Sequence, residues 1–407
     1  MDDYDRRPYA KSSGLSPGAA RRGPSRRELL KSSGLAAAAG AIAHIPGAAS
    51  AARGIPELDP SYKYYCPELV EITAPGPIIL PDGSSQCSWS RRPYLDLNFE
   101  HARFYAIPWF QRFRMKKWDM YHLVTPECYL SFLVAWIGYG AFCSAYVFDR
   151  ASGQGSEDIH ISPPRPGPKM MRDSTTGRTE YQSRGTSARF EVEGERRSAR
   201  VSWPAFAGKN LDARIEMRLP AAHESICGVH PTSPRRCHYG HKINCMEASG
   251  SVRLGGRTYD LDPVDSFGML DFGRGYFPPR LFWYWAVASG RDVKGRPVGW
   301  NLGHGNSPAE TAENAVFYDG RLHKIGKVKC VAPAGPDDPW RVLSDEGRVD
   351  LSMVPKAVRN LKLNLGVAYS IGRSDLGLYS GTVTLDSGEV VEIADMFGLF
   401  EWVDQKW

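Results

Sequence analysis

The densest group of side chains capable of chemistry lies at the start of the segment from Asp271 to Trp285. Asp271, Arg274 and Tyr276 bring an acid, a fixed cation and a phenol into one short stretch. An acid held in an apolar cavity has a raised pKa and could protonate a substrate. The spacing alone favours a simpler interpretation, in which Asp271 and Arg274 form a structural ion pair beneath an aromatic core. A proton-donating Asp271 is the alternative.

The end of the same segment is almost entirely aromatic. If it is a strand, side chains alternate between its faces, so Trp283 and Trp285 share one face while Phe282 and Tyr284 share the other. One face would belong to the core. The other could line a cavity, where indole rings bind apolar or cationic groups.

A run of cysteine and histidine from Cys237 to Cys245 also contains Lys242, and it has the residue types that bind zinc. A strand advances ~3.3 Å per residue, which separates the two cysteines by roughly 26 Å, too far to share one ion. No metal site is therefore predicted; one would need a tight turn here or a ligand from elsewhere in the chain.

The glycine-rich segment from Gly299 to Asn306 lacks the Lys-Ser/Thr pair of a phosphate-binding loop, so a turn or bulge is expected instead. Glu313 and Asn314 follow it and are either solvated loop residues or part of a binding site. No cofactor-binding motif is present, and no cofactor is predicted. No Gly-x-Ser-x-Gly sequence supports a serine hydrolase either.

The elements that must position these residues are predicted to be β-strands. Arg189–Glu193 and Ala199–Trp203 alternate with period two and are separated by a short polar loop. Ser251–Leu254 and Thr258–Leu261 alternate in the same way and are joined through Gly255-Gly256, a strong hairpin signal. Many short antiparallel strands without interposed helices indicate barrels or sandwiches, with a change of domain between about 220 and 250.

The uncharged segment from Cys128 to Phe148 has the length of a transmembrane helix. Its aromatic and β-branched residues, and the break at Gly138 and Gly140, instead favour two buried strands or one long bent strand. No stable membrane span is predicted.

An export signal is predicted at the N-terminus. The segment Ser25–Lys31 contains paired arginines and precedes a weakly apolar run that ends in Ala49-Ser50-Ala51, the pattern of a twin-arginine signal with its cleavage site. Residues 1–51 are thus assigned to the signal, the translocase is an expected partner, and the mature protein is expected in the periplasm or outside the cell.

Charge and cysteine content limit what the mature chain can do. The net charge is +6, from 51 basic and 45 acidic residues; the first 51 residues hold eight of the former and four of the latter. The near-balance that remains, without a basic block, argues against nucleic acid as a partner. All eight cysteines lie beyond residue 51; Cys227, Cys237 and Cys245 are the most plausible to include a disulfide, and buried free thiols are the alternative.

From about residue 60 to its end, the chain resembles the bacterial domain-of-unknown-function family 2804. The family is distantly similar to carotenoid 1,2-hydratase-like and lipocalin-like proteins. This resemblance implies a mainly β protein with two consecutive lipocalin-like antiparallel barrels, over residues 52–235 and 236–407, around an apolar cavity. The matching features are Lys117-Trp118-Asp119, Phe148-Asp149, Lys242, Asp271–Gly275, Trp283–Trp285, Asn301–Gly303, Glu313-Asn314, Pro339–Arg341, Asp350-Leu351 and Gly398–Glu401.

Two functions fit such a protein. The first is binding of a hydrophobic small molecule, a terpenoid or lipid, with Arg274, Asn301, Glu313 and Asn314 among the contacts. The second is an enzyme on the same scaffold, a hydratase, isomerase or cyclase. Carbohydrate binding through exposed tryptophans is a weaker alternative.

In the enzyme, Asp271 would donate the proton, Tyr276 and Lys242 would position polar groups, and Trp283 or Trp285 would stabilise a carbocation. Asp271, Tyr276 and Lys242 are therefore the predicted catalytic residues.

Overall fold

The computed structural model describes residues 68–163, 166–233, 235–305, 313–333, 335, 338–364 and 368–407. The predicted export signal lies outside these residues. The described chain forms 25 β-strands and two short 3₁₀ helices, Phe99–His101 and Pro108–Phe113. None of its helices has the length and apolar character needed to cross a membrane.

The strands are numbered in chain order. They are β1 (Val70–Glu71), β2 (Gly76–Pro77), β3 (Ser88–Ser90), β4 (Leu95–Asp96), β5 (Met115–Val124), β6 (Cys128–Trp136), β7 (Ala141–Asp149), β8 (Gln154–Ser162), β9 (Gly177–Ser183), β10 (Thr186–Glu193), β11 (Arg196–Phe206), β12 (Lys209–Arg218), β13 (Ile226–Ser233), β14 (Arg236–Leu254), β15 (Arg257–Leu261), β16 (Phe267–Tyr276), β17 (Arg280–Arg291), β18 (Pro297–His304), β19 (Ala315–Tyr318), β20 (Arg321–Lys324), β21 (Val328–Val331), β22 (Trp340–Ser344), β23 (Val349–Asn364), β24 (Tyr369–Thr384) and β25 (Val390–Lys406).

The strands form two consecutive antiparallel barrels, which confirms the predicted lipocalin-like architecture. The main path of the first sheet runs β8-β7-β6-β5-β16-β14-β12-β11-β10-β9, and β1, β3, β13 and β15 pair beside it. Its two edges approach each other where Tyr181 of β9 donates a hydrogen bond to the carbonyl of His160 in β8, so this barrel is nearly closed. The second sheet, β20-β19-β18-β17-β25-β24-β23-β22-β21, forms a half-barrel.

Both barrels are filled by the inward faces of alternating strands. Tyr121, Phe190 and Trp203 are buried in the first barrel, and Trp300 and Trp340 are buried in the second. A separate apolar cluster joins strands of both sheets, so the two barrels share packed surface. Burying this much aromatic area is the main stabilising contribution to such a fold.

The local predictions of strands and hairpins are confirmed. β10 and β11 pair with Glu193 opposite Arg196, and β14 and β15 pair with Leu254 opposite Arg257. The uncharged segment forms the antiparallel strands β6 and β7, separated by a turn at Gly138, which has a φ of 90°. Positive φ favours glycine, so the glycine ends one strand and allows the next.

The first sheet continues through β14, β15 and β16 and ends at Tyr276, whereas the second begins at Arg280. The strands from 236 to 276 therefore pair with the first sheet, although the sequence places residue 236 at the start of the second domain. Sheet membership changes inside the aromatic segment itself. The division of the chain into folding domains at 235 stays a prediction.

A bulge in β14 connects the two sheets. Pairing with β16 shifts register between Ile243 and Met246, and Cys245 adopts a φ of 59°. The irregularity turns the Asn244 amide toward the second sheet, where it donates to the carbonyls of Ala288 and Trp300, each at 3.0 Å. Bulges re-aim side chains in this way.

The expected disulfide among Cys227, Cys237 and Cys245 is wrong, because all three are buried free thiols. Cys227 and Cys237 lie within the first sheet on β13 and β14, and Cys245 occupies the bulge. Cys87 is the disulfide-bonded cysteine of the described chain.

Candidate functional site

A cavity of about 330 Å³ lies between the two sheets. β5, β14 and β16 of the first sheet and β17, β18 and β25 of the second contribute to its wall. Half of its lining residues are aromatic or aliphatic, and most of the others are polar or charged. The apolar part of the wall suits a small molecule that is largely apolar, and the converging polar groups would fix the orientation of that molecule.

The polar centre of the cavity is Lys242. Its ammonium group contacts Asp271 Oδ1 and lies 3.4 Å from Glu313 Oε2. Glu313 Oε1 is in turn 3.3 Å from His230 Nε2, and the Trp118 indole donates to Asp271 Oδ1 at 3.0 Å. Asp271 Oδ1 thus accepts hydrogen bonds from both a cation and an indole.

The strand register explains how these groups meet. Lys242 in β14 is directly opposite Asp271 in β16, so the two side chains point to the same face. Gly228 and Gly240, which are also cross-strand partners, provide the space for Glu313, and a Cβ at Gly240 would overlap Glu313 Oε1. These glycines therefore hold open the position of the carboxylate.

The electrostatics of this group reflect burial opposed by pairing. Burial alone would lower the pKa of Lys242, but Asp271 and Glu313 outweigh it and raise the pKa above its usual value. Burial alone would likewise raise the pKa of Glu313, but the Lys242 charge and His230 hold it below its ordinary value. The network is therefore charged at neutral pH.

A second polar position in the cavity is Glu401, in β25. The Trp283 indole donates to Glu401 Oε1 at 3.1 Å. Burial raises the pKa of Glu401, and the nearby negative charge of Asp271 adds to this, against the hydrogen bond from Trp283 and the charge of Arg359. Glu401 is thus the carboxyl group in the cavity wall whose surroundings favour the protonated form.

The cavity also contains neutral imidazoles. Burial lowers the pKa of His122 to about 3 and that of His304 to about 4. Burial, together with His230 and Lys242, keeps the pKa of His238 well below its ordinary value. The His230 and His238 rings stack at 4.6 Å, and each retains a buried Nδ1 with no hydrogen-bond partner among the described residues.

Asn301 and Asn314 act on the architecture of the site. The Trp285 indole donates to Asn301 Oδ1 at 2.7 Å, and the Asn301 amide donates to the backbone carbonyl of Glu313 at 2.7 Å. Asn314 is buried, accepts from the backbone of Gly303 and donates to that of Gly326. Asn301 therefore fixes Trp285 and Glu313 relative to each other, and both amides line the cavity.

The structure brings together some of the predicted site residues and not others. Asp271, Lys242, Trp283, Trp285, Asn301, Glu313 and Asn314 line the cavity, whereas Arg274 and Tyr276 do not. Arg274 is 2% exposed and pairs with Asp119 at 2.7 Å inside the first barrel. The ion pair expected between Asp271 and Arg274 is therefore absent. Arg274 pairs with Asp119, whereas Asp271 pairs with Lys242.

Tyr276 also lies away from the cavity. Its hydroxyl donates to the carbonyl of Phe99 at 3.3 Å, and its ring packs against Phe104. Trp283 and Trp285 line the interior cavity instead of an exposed face, which removes them as the surface platform that carbohydrate binding would need.

Sequence reasoning missed Glu401, His230 and His238 as members of the site. Glu401 stands between Phe400 and Trp402, and an acid flanked by aromatic residues in a strand is a signal that could have selected it. His238 lies in the run from Cys237 to Cys245, which suggests only a possible metal site, and His230 belongs to no motif of the sequence. Within the described chain, no three His, Cys, Asp or Glu side chains are grouped as metal ligands.

Solved structures with a comparable fold have low sequence identity to the chain. The structure of CghA aligns with a TM-score of 0.48 at 11% identity, over 72% of this chain and 88% of that protein. A Nitrosomonas europaea protein assigned as AttH aligns with a TM-score of 0.43 at 14% identity, over 76% and 96% of the two chains. Kievitone hydratase from Nectria haematococca aligns with a TM-score of 0.38 at 11% identity, over 71% and 88%.

A sequence search of curated proteins gives no match. The family relationship rests on a match between the chain and the sequence model of a protein family. The model of the family described as "Domain of unknown function (DUF2804)" matches residues 69–407, which include both sheets and every residue of the cavity described above. The chain therefore belongs to the DUF2804 family.

Proposed function

We propose that this protein is an enzyme that transfers a proton to a hydrophobic small molecule, a terpenoid or lipid, and so acts as a hydratase, isomerase or cyclase. The observation that carries the proposal is Glu401: a half-buried glutamate with a raised pKa, hydrogen-bonded to Trp283 in the wall of the cavity. A general acid needs a raised pKa and access to the substrate.

The proposed step begins when Glu401 gives its proton to one carbon of a carbon–carbon double bond. The cation formed at the other carbon is stabilised by the indole faces of Trp283 and Trp285. It then accepts water, loses a proton from a neighbouring carbon, or closes on a second double bond to give a new cation that ends in one of the first two ways. Each complete route releases one proton, which Glu401 takes back.

The Lys242 network supplies the fixed charges beside this step. Its two carboxylates stabilise positive charge that develops in the cavity, and Lys242 pairs with both of them. We thus assign the proton to Glu401 and an electrostatic role to Asp271. From the sequence alone, Asp271 is instead the predicted proton donor. Separate variants of the two residues test the two assignments.

The experiment starts by identifying the ligand. Native mass spectrometry of the purified protein, with organic extraction, identifies an apolar molecule that co-purifies. That molecule is then incubated in D2O with wild type, Glu401→Gln, Asp271→Asn and the control Glu392→Gln, which alters an exposed glutamate of the same strand. Mass spectrometry measures product and deuterium incorporation.

We expect Glu401→Gln to reduce turnover by about 100- to 10,000-fold, the usual contribution of a general acid, and Glu392→Gln to leave it unchanged. Turnover abolished in Asp271→Asn but kept in Glu401→Gln would transfer the donor role to Asp271. If wild type binds the molecule and returns it unchanged and without deuterium, the protein is a carrier and the enzyme proposal is wrong.

We also propose that the protein works outside the cytoplasm, on the basis of Arg26 and Arg27 before the apolar run. Changing both arginines to lysine should retain the protein in the cytoplasm of its host, as measured by fractionation. Unaltered export of that variant would contradict a twin-arginine route.

A further inference from the structure

A set of large apolar side chains faces solvent beside the second 3₁₀ helix. Ile107, Trp109 and Phe110 are 57%, 52% and 49% exposed, and Tyr105 and Tyr139 are also exposed. We refer to these five residues as the aromatic rim. Single exposed apolar residues are common, but a contiguous set on a well-packed protein indicates a contact surface.

The centre of the rim is held in place by ring contacts. The rings of Trp109 and Phe110 meet at 5.1 Å, and Trp109 also contacts the Phe113 ring at 4.9 Å. Tyr139 joins from the β6–β7 turn, where Gly138 lies so close to the Phe113 carbonyl that a Cβ would be 2.8 Å from its oxygen. The side chains are thus presented by a fixed backbone.

Two exposed arginines, Arg103 and Arg112, flank the rim, and Glu100 is the single acid from residue 99 to residue 117. Lys116 in the same segment is buried and burial lowers its pKa to about 7, so the exposed positive charge comes from the arginines. The exposed Arg112 stacks on the Trp109 ring at 3.8 Å, and Arg236 lies over Phe104 at 4.7 Å. Aromatic rings at a boundary, flanked by guanidinium groups, match the interfacial region of a membrane with anionic lipids.

The rim also borders the cavity. Lys116 donates to the carbonyls of Phe113 and Ile137, and Arg114 donates to those of Phe277 and Trp407. Ile137, Phe277 and Trp407 all line the cavity. Two side chains that follow the second 3₁₀ helix are therefore hydrogen-bonded to backbone carbonyls of the cavity wall.

We propose that the aromatic rim docks the protein on the surface of a bilayer that contains anionic lipids. The rings of the rim enter the interfacial layer, while the arginines that flank the rim contact lipid phosphates. The location beside the cavity would let an apolar molecule pass between membrane and protein without crossing water. This transfer rests on the proposed function, whereas membrane docking does not.

The test is co-sedimentation of the full chain with sucrose-loaded vesicles, either phosphatidylcholine alone or phosphatidylcholine with phosphatidylglycerol. Trp109→Ser/Phe110→Ser removes the centre of the rim. The matched control Val264→Ser/Val390→Ser alters two residues that are 65% and 56% exposed elsewhere. All variants keep the same N-terminal residues, so a contribution from the predicted signal cancels, and circular dichroism verifies folding.

We expect wild type and the control to bind phosphatidylglycerol vesicles, more weakly without the anionic lipid or at high salt. The rim variant should bind at least about 10-fold more weakly, and Arg112→Gln about 5-fold more weakly, the effect of one basic residue near an anionic surface.

Equal binding by wild type and the rim variant would overturn the proposal. A second result would also overturn it: wild type does not bind vesicles and forms a dimer in analytical ultracentrifugation, and the rim variant is a monomer. A second copy of the chain would then cover the rim. No substrate is present in these measurements, so their failure leaves proton transfer by Glu401 untouched.

Discussion

Replacing Lys242 by methionine leaves two buried carboxylates without their cation. The Lys242 ammonium is 3.4 Å from Glu313 and contacts Asp271. At an effective dielectric constant of about 20, each such pair is attracted by about 4–5 kcal/mol, and desolvation of the lysine offsets part of this. Buried pairs broken on one side typically lose ~3–5 kcal/mol, which is the decrease in unfolding free energy that we expect at pH 7.

The pH dependence of this loss follows from Glu313. In wild type its pKa is depressed, so its contribution to stability is complete above the unfolded value near 4.5 and is lost as the pH falls through the folded value. In Lys242→Met the cation is gone and burial raises the pKa of Glu313, so acid neutralises the unpaired charge. The deficit should be largest near neutral pH and should shrink toward pH 4.

Urea unfolding, followed by tryptophan fluorescence and by circular dichroism, measures the deficit at pH 7 and at pH 5. Agreement of the two probes justifies a two-state analysis. Lys209→Met, at an exposed position, is the control and should stay within about 0.5 kcal/mol of wild type. Adding Asp271→Asn and Glu313→Gln to Lys242→Met should recover most of the loss. A deficit below about 1 kcal/mol at pH 7, or one that grows as the pH falls, would refute this reasoning.

Three further predictions concern single groups. Gly240→Ala places a Cβ against Glu313 Oε1 and displaces that carboxylate from Lys242, so urea unfolding should show a loss of about 1–3 kcal/mol; stability equal to wild type would contradict the close packing. Because the folded pKa of Glu401 is raised, wild type loses stability as the pH rises from about 4.5 through that value. Glu401→Gln should lack this loss in a pH series of thermal unfolding, and an unchanged profile would argue against a raised pKa. Five buried thiols should resist a disulfide reagent at pH 8 until the protein is unfolded, because burial raises their pKa values to about 11 or 12; rapid native labelling would disprove their burial. These thiols belong to Cys128, Cys143, Cys227, Cys237 and Cys245.

Local alternation was sufficient to predict the strands, because the side-chain period of a strand is visible in a few residues. It also placed Trp283 and Trp285 on one face of a strand without deciding whether that face belongs to the core or to a cavity; in the structure both line the cavity. It could not identify Glu401 as their neighbour, because pairing of β17 with β25 is a register between segments more than one hundred residues apart. Long-range register depends on tertiary packing that no local pattern records.

The same limit explains Arg274. Asp271 lies three residues before Arg274 and was expected to be its partner. Residues an odd number of positions apart in a strand point to opposite faces, so the two side chains contact different neighbours. β5 supplies Asp119 to Arg274 inside the barrel, and β14 supplies Lys242 to Asp271. Charge pairing in a sheet follows the neighbouring strands rather than the order of the chain.

The Asn244 bulge has a consequence for modularity. It joins the two sheets at the point where Lys242, from the first, meets Glu313, which precedes β19 of the second. Both barrels contribute residues to the site. Exchanging one barrel between relatives would therefore separate Lys242 from Glu313 and would remove the hydrogen bonds of the Asn244 amide to the carbonyls of Ala288 and Trp300. The two halves must diverge together, and new specificity in this architecture has to arise from substitutions within an intact pair.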